Sequence, residues 1–143
     1  VYFVDREQIE QRLTYIKTFL IKAADTVEQD AGNLGPLVLR LARERVLHLA
    51  IEAVTDIGSL MIDGFVMRDA SSYEDIIEVL QGEEVFGRST GAELFELVKL
   101  RRLLVQRYDE VDESLLATWG PKMAKLLLSF ADSIELYLQR ELG

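Results

Sequence analysis

The residues best suited to chemistry gather near position 100. Lys99, Arg101, Arg102 and Arg107 fall within nine residues, with Gln106 and Tyr108 among them. Apolar residues approach at Leu94, Leu97 and Val98 and continue at Val105 and Tyr108. Those are the three- and four-residue steps of one helical face. Arg101 takes the next step on that face, where a core residue belongs. A guanidinium keeps its charge, so burying it requires a carboxylate or an anion. Its planar fork of donors suits either. Two readings are open: a subunit contact with acid opposite Arg101, or an anion site that Arg102 and Arg107 assist. A short basic cluster is more often a solvated face, and the position of Arg101 argues for a site.

Proton transfer has one obvious candidate. The chain holds a single histidine, His48, and no cysteine. An imidazole gives or takes a proton near neutral pH. His48 lies on a polar stripe, Arg45, His48, Glu52, Asp56, Ser59 and Asp63, spaced by three and four. Glu52 and Asp56 are one turn apart and point the same way. They are the natural countercharges for Arg101 if their helices pack side by side. His48 reads first as a core histidine bonded to Glu52, and second as a proton-transfer group near Arg101.

Other chemistries find little support. The lack of cysteine leaves no disulfide framework, zinc cluster or thiol nucleophile, and it fits a reducing cytoplasm. The acidic groups Glu83-Glu84 and Asp109-Glu110-Asp112-Glu113 have neither His nor Cys beside them nor the spacing of a calcium loop. They read as caps and solvated surface, so no metal is expected. No phosphate loop, dinucleotide fingerprint or nucleophile elbow occurs, so no cofactor is expected either. The 16 basic against 25 acidic residues leave a net charge of −9. That field repels nucleic acid and anionic membranes, so RNA could bind only at a local basic patch.

The elements that position these residues are all helical. The first helix is expected from Asp5 to about Val27, with Asp5 as cap and Gln8 completing a capping box. Its apolar face is Ile9, Leu13, Ile16, Leu20, Ala23 and Val27. Gly32, Asn33, Gly35 and Pro36 form a loop, and Pro36 suits the first turn of a second helix running to Ile62. That helix is apolar nearly all round outside its polar stripe, as in the middle of a bundle or a subunit contact. Gly58 within it implies close approach of a neighbouring helix. A short third helix runs from Tyr73 to Gln81, capped by Ser72, with Tyr73, Ile76, Ile77 and Leu80 as its apolar edge. Glu83 to Ser89 is a loop or a turn of helix. Thr90 and Glu93 make a capping box for a fourth helix reaching Arg107 or Tyr108. Asp112 caps the last element, which Gly120-Pro121 kinks or breaks before it resumes from Lys122 to about Leu142. No stretch alternates like a strand. The expectation is a single all-α domain over residues 1–143, an up-and-down bundle of four main helices plus one or two short ones. The N-terminus lacks the pattern of a signal peptide, and no apolar run suits a membrane span.

The stretch Arg101-Arg102-Leu103-Leu104-Val105-Gln106-Arg107-Tyr108-Asp109-Glu110-Val111-Asp112 resembles the helix-end motif of the HepT-like HEPN proteins, partners of minimal nucleotidyltransferases. That motif reads Arg-Asn, three residues, His, one residue, Tyr, often followed by Asp-Glu-Val-Asp. Arg101, Tyr108 and the acidic tail match, while Arg102 stands for the Asn and Gln106 for the His. Ile51 to Gly58 also looks like the family's second-helix signature. The resemblance implies a HEPN-like bundle, a homodimer with the motif at its cleft, and a metal-independent ribonuclease toxin paired with a nucleotidyltransferase antitoxin. It implies that Arg101 holds phosphate, and that Tyr108 is the residue the partner modifies with adenylyl groups. On the residues alone, Tyr108 could equally end the apolar stripe and pack there. Gln106 has no useful acid–base equilibrium, so it cannot replace the motif His in proton transfer. The alternative is a catalytically inactive dimeric HEPN domain serving as a binding or scaffold module. Arg101 and Gln106 are five apart, on different sides of an ideal helix, so a cleft between two subunits would gather them more easily than one helix could.

Overall fold

Helix α3, Pro36–Gly64, is the axis of the molecule. The computed structural model describes residues 1–143, and in it α3 touches every other helix. Pro36 takes its first turn after Gly35, where a missing N–H costs nothing. Its apolar residues face several directions because neighbours surround most of it. Leu47, Ile51, Val54, Ile57 and Met61 are fully enclosed, each burial stabilising by about 1.5–3 kcal/mol.

The first rod joins α1 (Arg6–Tyr15), a π-helical turn (Ile16–Leu20) and α2 (Ile21–Gln29). Asp5 caps it by accepting from the Gln8 N–H. The π turn adds a residue to one turn and so moves the register that follows. Ile9, Leu13, Ile16 and Leu20 are buried as expected, but the next core residue is Ala24 rather than Ala23. The rod runs antiparallel to α3. Arg12 near its start faces Asp56 near the end of α3, and Glu28 near its end pairs with Arg43 near the start.

A loop leads to α4 (Tyr73–Gly82). Ser72 accepts from the Asp75 N–H, so the expected cap is in place. The side chain of Asp75 turns back to take two bonds from Arg68, at 2.8 and 2.9 Å, and a third from the Ser71 N–H. Gly58 does mark a close approach, to side chains of α4: a Cβ there would lie 2.5 Å from Ile76 Cγ2.

The fourth helix departs from expectation at both ends. It begins at Arg88, with Gly87 as cap and no side-chain bond, so the Thr90–Glu93 box is not used. It stops at Lys99. Leu100, with ψ near −12°, offsets a separate short helix, α6 (Arg101–Gln106), from α5 (Arg88–Lys99). The apolar stripe accordingly ends at Val98, and no residue of α6 is buried. A 3₁₀ turn, Tyr108–Glu110, follows. Val111 then enters the core, and its carbonyl accepts from Arg40 at 3.0 Å.

The last rod comprises α7 (Glu113–Trp119), a 3₁₀ turn at Gly120–Lys122, and α8 (Met123–Leu142). Asp112 caps α7 through the Ser114 N–H. The Gly120-Pro121 interruption is this tight turn. Gly120 lies against the Glu28–Arg43 pair, where a Cβ would come within 2.5 Å of Glu28 Oε2. Phe130, Ile134 and Leu127 on α8 complete the core. The result is the all-α bundle expected from the sequence, with three short helices, α4, α6 and α7, because the break at Leu100 splits the expected fourth helix.

Candidate functional site

Three elements converge on Arg101. It opens α6, one step beyond the break at Leu100, and so points toward the middle of α3. Its Nε donates to Glu52 Oε1 at 3.0 Å. The Tyr73 ring, at the start of α4, lies against the face of the guanidinium at 4.0 Å. The carboxylate that answers Arg101 therefore belongs to its own chain, not to a second subunit. With one edge and one face held, the two terminal nitrogens make no hydrogen bond within the chain. That leaves the paired donors suited to a phosphate or carboxylate. The side chain is 25% exposed, so solvent-borne ligands reach it.

Glu52 serves a second group. His48 Nε2 lies 3.4 Å from the same Oε1 atom. On the other side of the ring, Arg45 Nη1 is 3.4 Å from Nδ1. Arginine only donates. When the ring is neutral, Nδ1 is then the acceptor and the ring proton sits on Nε2, facing the carboxylate. His48 is about one-third exposed, so it is not the core histidine expected, although its contact with Glu52 is present. Its outward position follows from α3: at that level the helix turns this stripe to solvent while Leu47 and Ile51 face inward.

Asp56 does not join them. It faces Arg12 at 3.9 Å, a loose exposed pair, because the first rod rather than α6 passes that turn of α3. Arg102, Gln106, Arg107 and Tyr108 are all exposed. Tyr108 is 64% exposed on the 3₁₀ turn, so it does not pack at the end of the apolar stripe. No Arg101–Gln106 contact occurs within the chain. No group of three or more His, Cys, Asp or Glu side chains is arranged to hold a metal.

Tyr73 and Arg45 were not singled out as site residues by the sequence. Tyr73 read as part of an apolar edge, and only the packing of α4 against α3 brings its ring to Arg101. Arg45 was visible on the polar stripe, but its position beside the imidazole depends on rotamers no pattern fixes.

Apolar side chains remain uncovered around the cluster. On α3, Leu41 shares the stripe of Arg45 and His48 and is 67% exposed, with Leu37 and Val38 open one turn earlier. Val105 and Tyr108 are exposed beyond Arg101. Tyr15 and Phe19 stack on each other at 5.3 Å on the outside of the first rod.

Comparison with known proteins gives this geometry its context. A Bacillus subtilis (strain 168) protein described as "Putative RNase YutE" is 38% identical over 143 residues, all of this chain and 96% of that one. The solved structure of YutE, described as a cytosolic protein, superimposes with a TM-score of 0.86 at 35% identity over 100% of this chain and 96% of that one. A tri-AMPylated HEPN toxin of Shewanella oneidensis, solved in complex with its MNT antitoxin, has the same fold. Its TM-score is 0.79 at 20% identity, covering 90% of this chain and 96% of that one. Residues 9–126 match the family described as "Ribonuclease HepT-like", and with that match this chain belongs to the HepT-like ribonuclease family.

Proposed function

We propose that this protein is the ribonuclease toxin of a toxin–antitoxin pair, cutting RNA without a metal or cofactor in a cleft that two copies complete around Arg101. The observation that carries the reading is the state of Arg101. It is oriented by Glu52 and Tyr73 yet keeps its terminal donors uncommitted. Those donors are partly exposed and so can take an anion from solution. Exposed Arg45, Arg102 and Arg107 supply a local basic patch on an otherwise acidic chain. The uncovered Leu37, Val38, Leu41 and Val105 support a second copy closing the cleft, since such apolar clusters usually have partners. A copy approaching there would bring its own Gln106 toward the site, which one chain does not.

The partner is a nucleotidyltransferase antitoxin, and Tyr108 is the residue it adenylylates. Exposure of Tyr108 supports this, as does the adenylylated state of the Shewanella toxin that shares the fold. Each adenylyl group would set negative charge beside Arg102 and Arg107 and obstruct the approach of an RNA phosphate. The pair would act in the cytoplasm. No helix of the chain is long and apolar enough to cross a membrane.

Gln106 favours a second reading, an inactive dimeric HEPN module that binds without cutting. Inducible expression in bacterial cells separates the two. Growth arrest by the wild type, relieved by Arg101→Ala and by a co-expressed cognate nucleotidyltransferase, is the expected result. Harmless expression of wild type with no loss of RNA integrity would favour the inactive module. Incubation with that nucleotidyltransferase and labelled ATP should label wild type and not Tyr108→Phe; equal labelling of both would remove Tyr108 from the account.

A further inference from the structure

We infer that His48 and Glu52 form a carboxylate–imidazole dyad that supplies the proton transfer Gln106 cannot. The inference rests on the ribonuclease reading above and names the missing base of that site. Its motive is a juxtaposition across two elements, α3 and α6. One carboxylate oxygen, Glu52 Oε1, lies 3.0 Å from Arg101 Nε and 3.4 Å from His48 Nε2. The only imidazole in the chain is thus one carboxylate away from the phosphate-binding guanidinium.

The orientation is the productive one for a base. Glu52 Oε1 stands 3.4 Å from Nε2 and favours the tautomer that carries its proton there, as a carboxylate does beside a catalytic histidine. Nδ1 is left with its lone pair, directed toward the exposed side where Arg45 stands. Arg45 is solvent-exposed and swings off Nδ1 when a phosphate enters, moving its charge onto that phosphate. Glu52 is a positioning residue, holding His48 and Arg101 at once. The charged groups around the dyad are Arg45 on α3, Arg101 on α6, and the Arg12–Asp56 pair one turn further along.

The step is a transesterification. The 2′-hydroxyl proton of the bound ribose passes to His48 Nδ1 as that oxygen forms a bond to the adjacent phosphorus. The bond from phosphorus to the 5′-oxygen breaks, and the departing oxygen takes a proton from water. The imidazolium then returns its proton to solvent. The products are a 2′,3′-cyclic phosphate and a 5′-hydroxyl. Arg101, with Arg45, stabilises the charge on the phosphoryl oxygens.

The test uses the purified full chain and a single-stranded RNA oligonucleotide. His48→Ala should lower kcat by about 10²–10⁴-fold, the usual worth of a positioned general base. Added imidazole should restore part of that loss, because it fills the space of the missing ring with the same chemistry. Glu52→Gln should lower kcat without raising KM, since freeing Arg101 from its carboxylate does not weaken phosphate binding. His48 is partly exposed, so the variant should melt within a few degrees of wild type; His48→Gln serves as a second variant if Ala unfolds the chain. Wild-type cleavage that needs Arg101 but survives unchanged in His48→Ala would overturn the dyad and leave the ribonuclease reading standing. A loss that imidazole leaves unrelieved would also overturn it, making His48 structural. No cleavage by wild type would remove both.

Discussion

Arg101 is held by weak, partly solvated contacts. A part-exposed ion pair contributes about 0–1 kcal/mol and a cation–π contact about 0.5–1 kcal/mol, so Arg101→Ala should cost about 0.5–2 kcal/mol in stability. Loss of activity in that variant would then report chemistry rather than unfolding, which a melting curve checks. Gln106→His should raise cleavage at least tenfold if the cleft is otherwise intact; a rate within twofold of wild type would mean that position 106 stands outside the reaction. Asp75 offers a contrast, an acid whose work is structural. The Arg68 guanidinium, then the Ser71 N–H, hold its carboxyl far below the usual carboxylate range. Because the folded value is lowered, the stabilisation is complete above the ordinary carboxylate pKa of about 3.9 and fades as pH falls toward the folded value. The melting-temperature gap between wild type and Asp75→Asn should therefore be steady from pH 7 to 5 and shrink below pH 4. A gap that stays constant down to pH 3 would contradict this account. The Arg101–Glu52 contact could be anticipated because both residue types and both helical faces were legible in the sequence. The Tyr73 platform could not, since an aromatic on an apolar edge looks the same whether it meets a leucine or a guanidinium.

Helix boundaries set which residues the site can gather. Local signals served well where one side chain decides: Asp5, Ser72 and Asp112 all cap as their positions suggest. They failed where packing decides. Arg88 extends α5 ahead of its apparent capping box, and the break at Leu100 has no proline or glycine to announce it. The π turn was equally silent, since Ile16 and Leu20 keep an ordinary spacing and only the shift from Ala23 to Ala24 betrays it. The break at Leu100 matters most, because it turns Arg101 toward Glu52 while releasing Gln106 and Tyr108 to solvent. A continuous helix would have kept Arg101 and Tyr108 on one face. The contact of α3 with α4 gives a test at this scale. Gly58→Ala gains helix propensity but drives a methyl into Ile76 Cγ2, so it should destabilise by about 1–3 kcal/mol. Ile76→Ala removes that Cγ2, so in a denaturant titration the penalty of Gly58→Ala should be smaller in the Ile76→Ala background than in wild type; an unchanged penalty would place the strain elsewhere.

At the scale of the whole molecule, charge and uncovered surface point the same way. A chain of net charge −9 approaches RNA only through its basic patch, so cleavage should be strongly salt-dependent. KM should rise several-fold between 50 and 200 mM salt, whereas an unchanged KM would argue against phosphate contacts. The apolar residues beside the patch should be buried between two copies. Sedimentation should give a dimer for wild type and a monomer for Leu41→Glu, with cleavage lost in the monomer if the cleft is composite. An active monomer would place the whole site in one chain. The bundle itself was legible from the sequence because its heptad-like apolar spacing leaves few other ways to bury the chain; a dimer was suggested by the family resemblance, the Arg101–Gln106 spacing and the excess of apolar residues on α3, none of which fixes where a second copy sits. The central claim is narrower than either and can be tested directly. RNA cleavage by purified wild type should be measured beside Arg101→Ala under identical conditions. Cleavage by wild type that falls by at least a hundredfold in the variant is the expected result. Equal rates, or no cleavage by wild type at any protein concentration, would contradict an Arg101-centred ribonuclease.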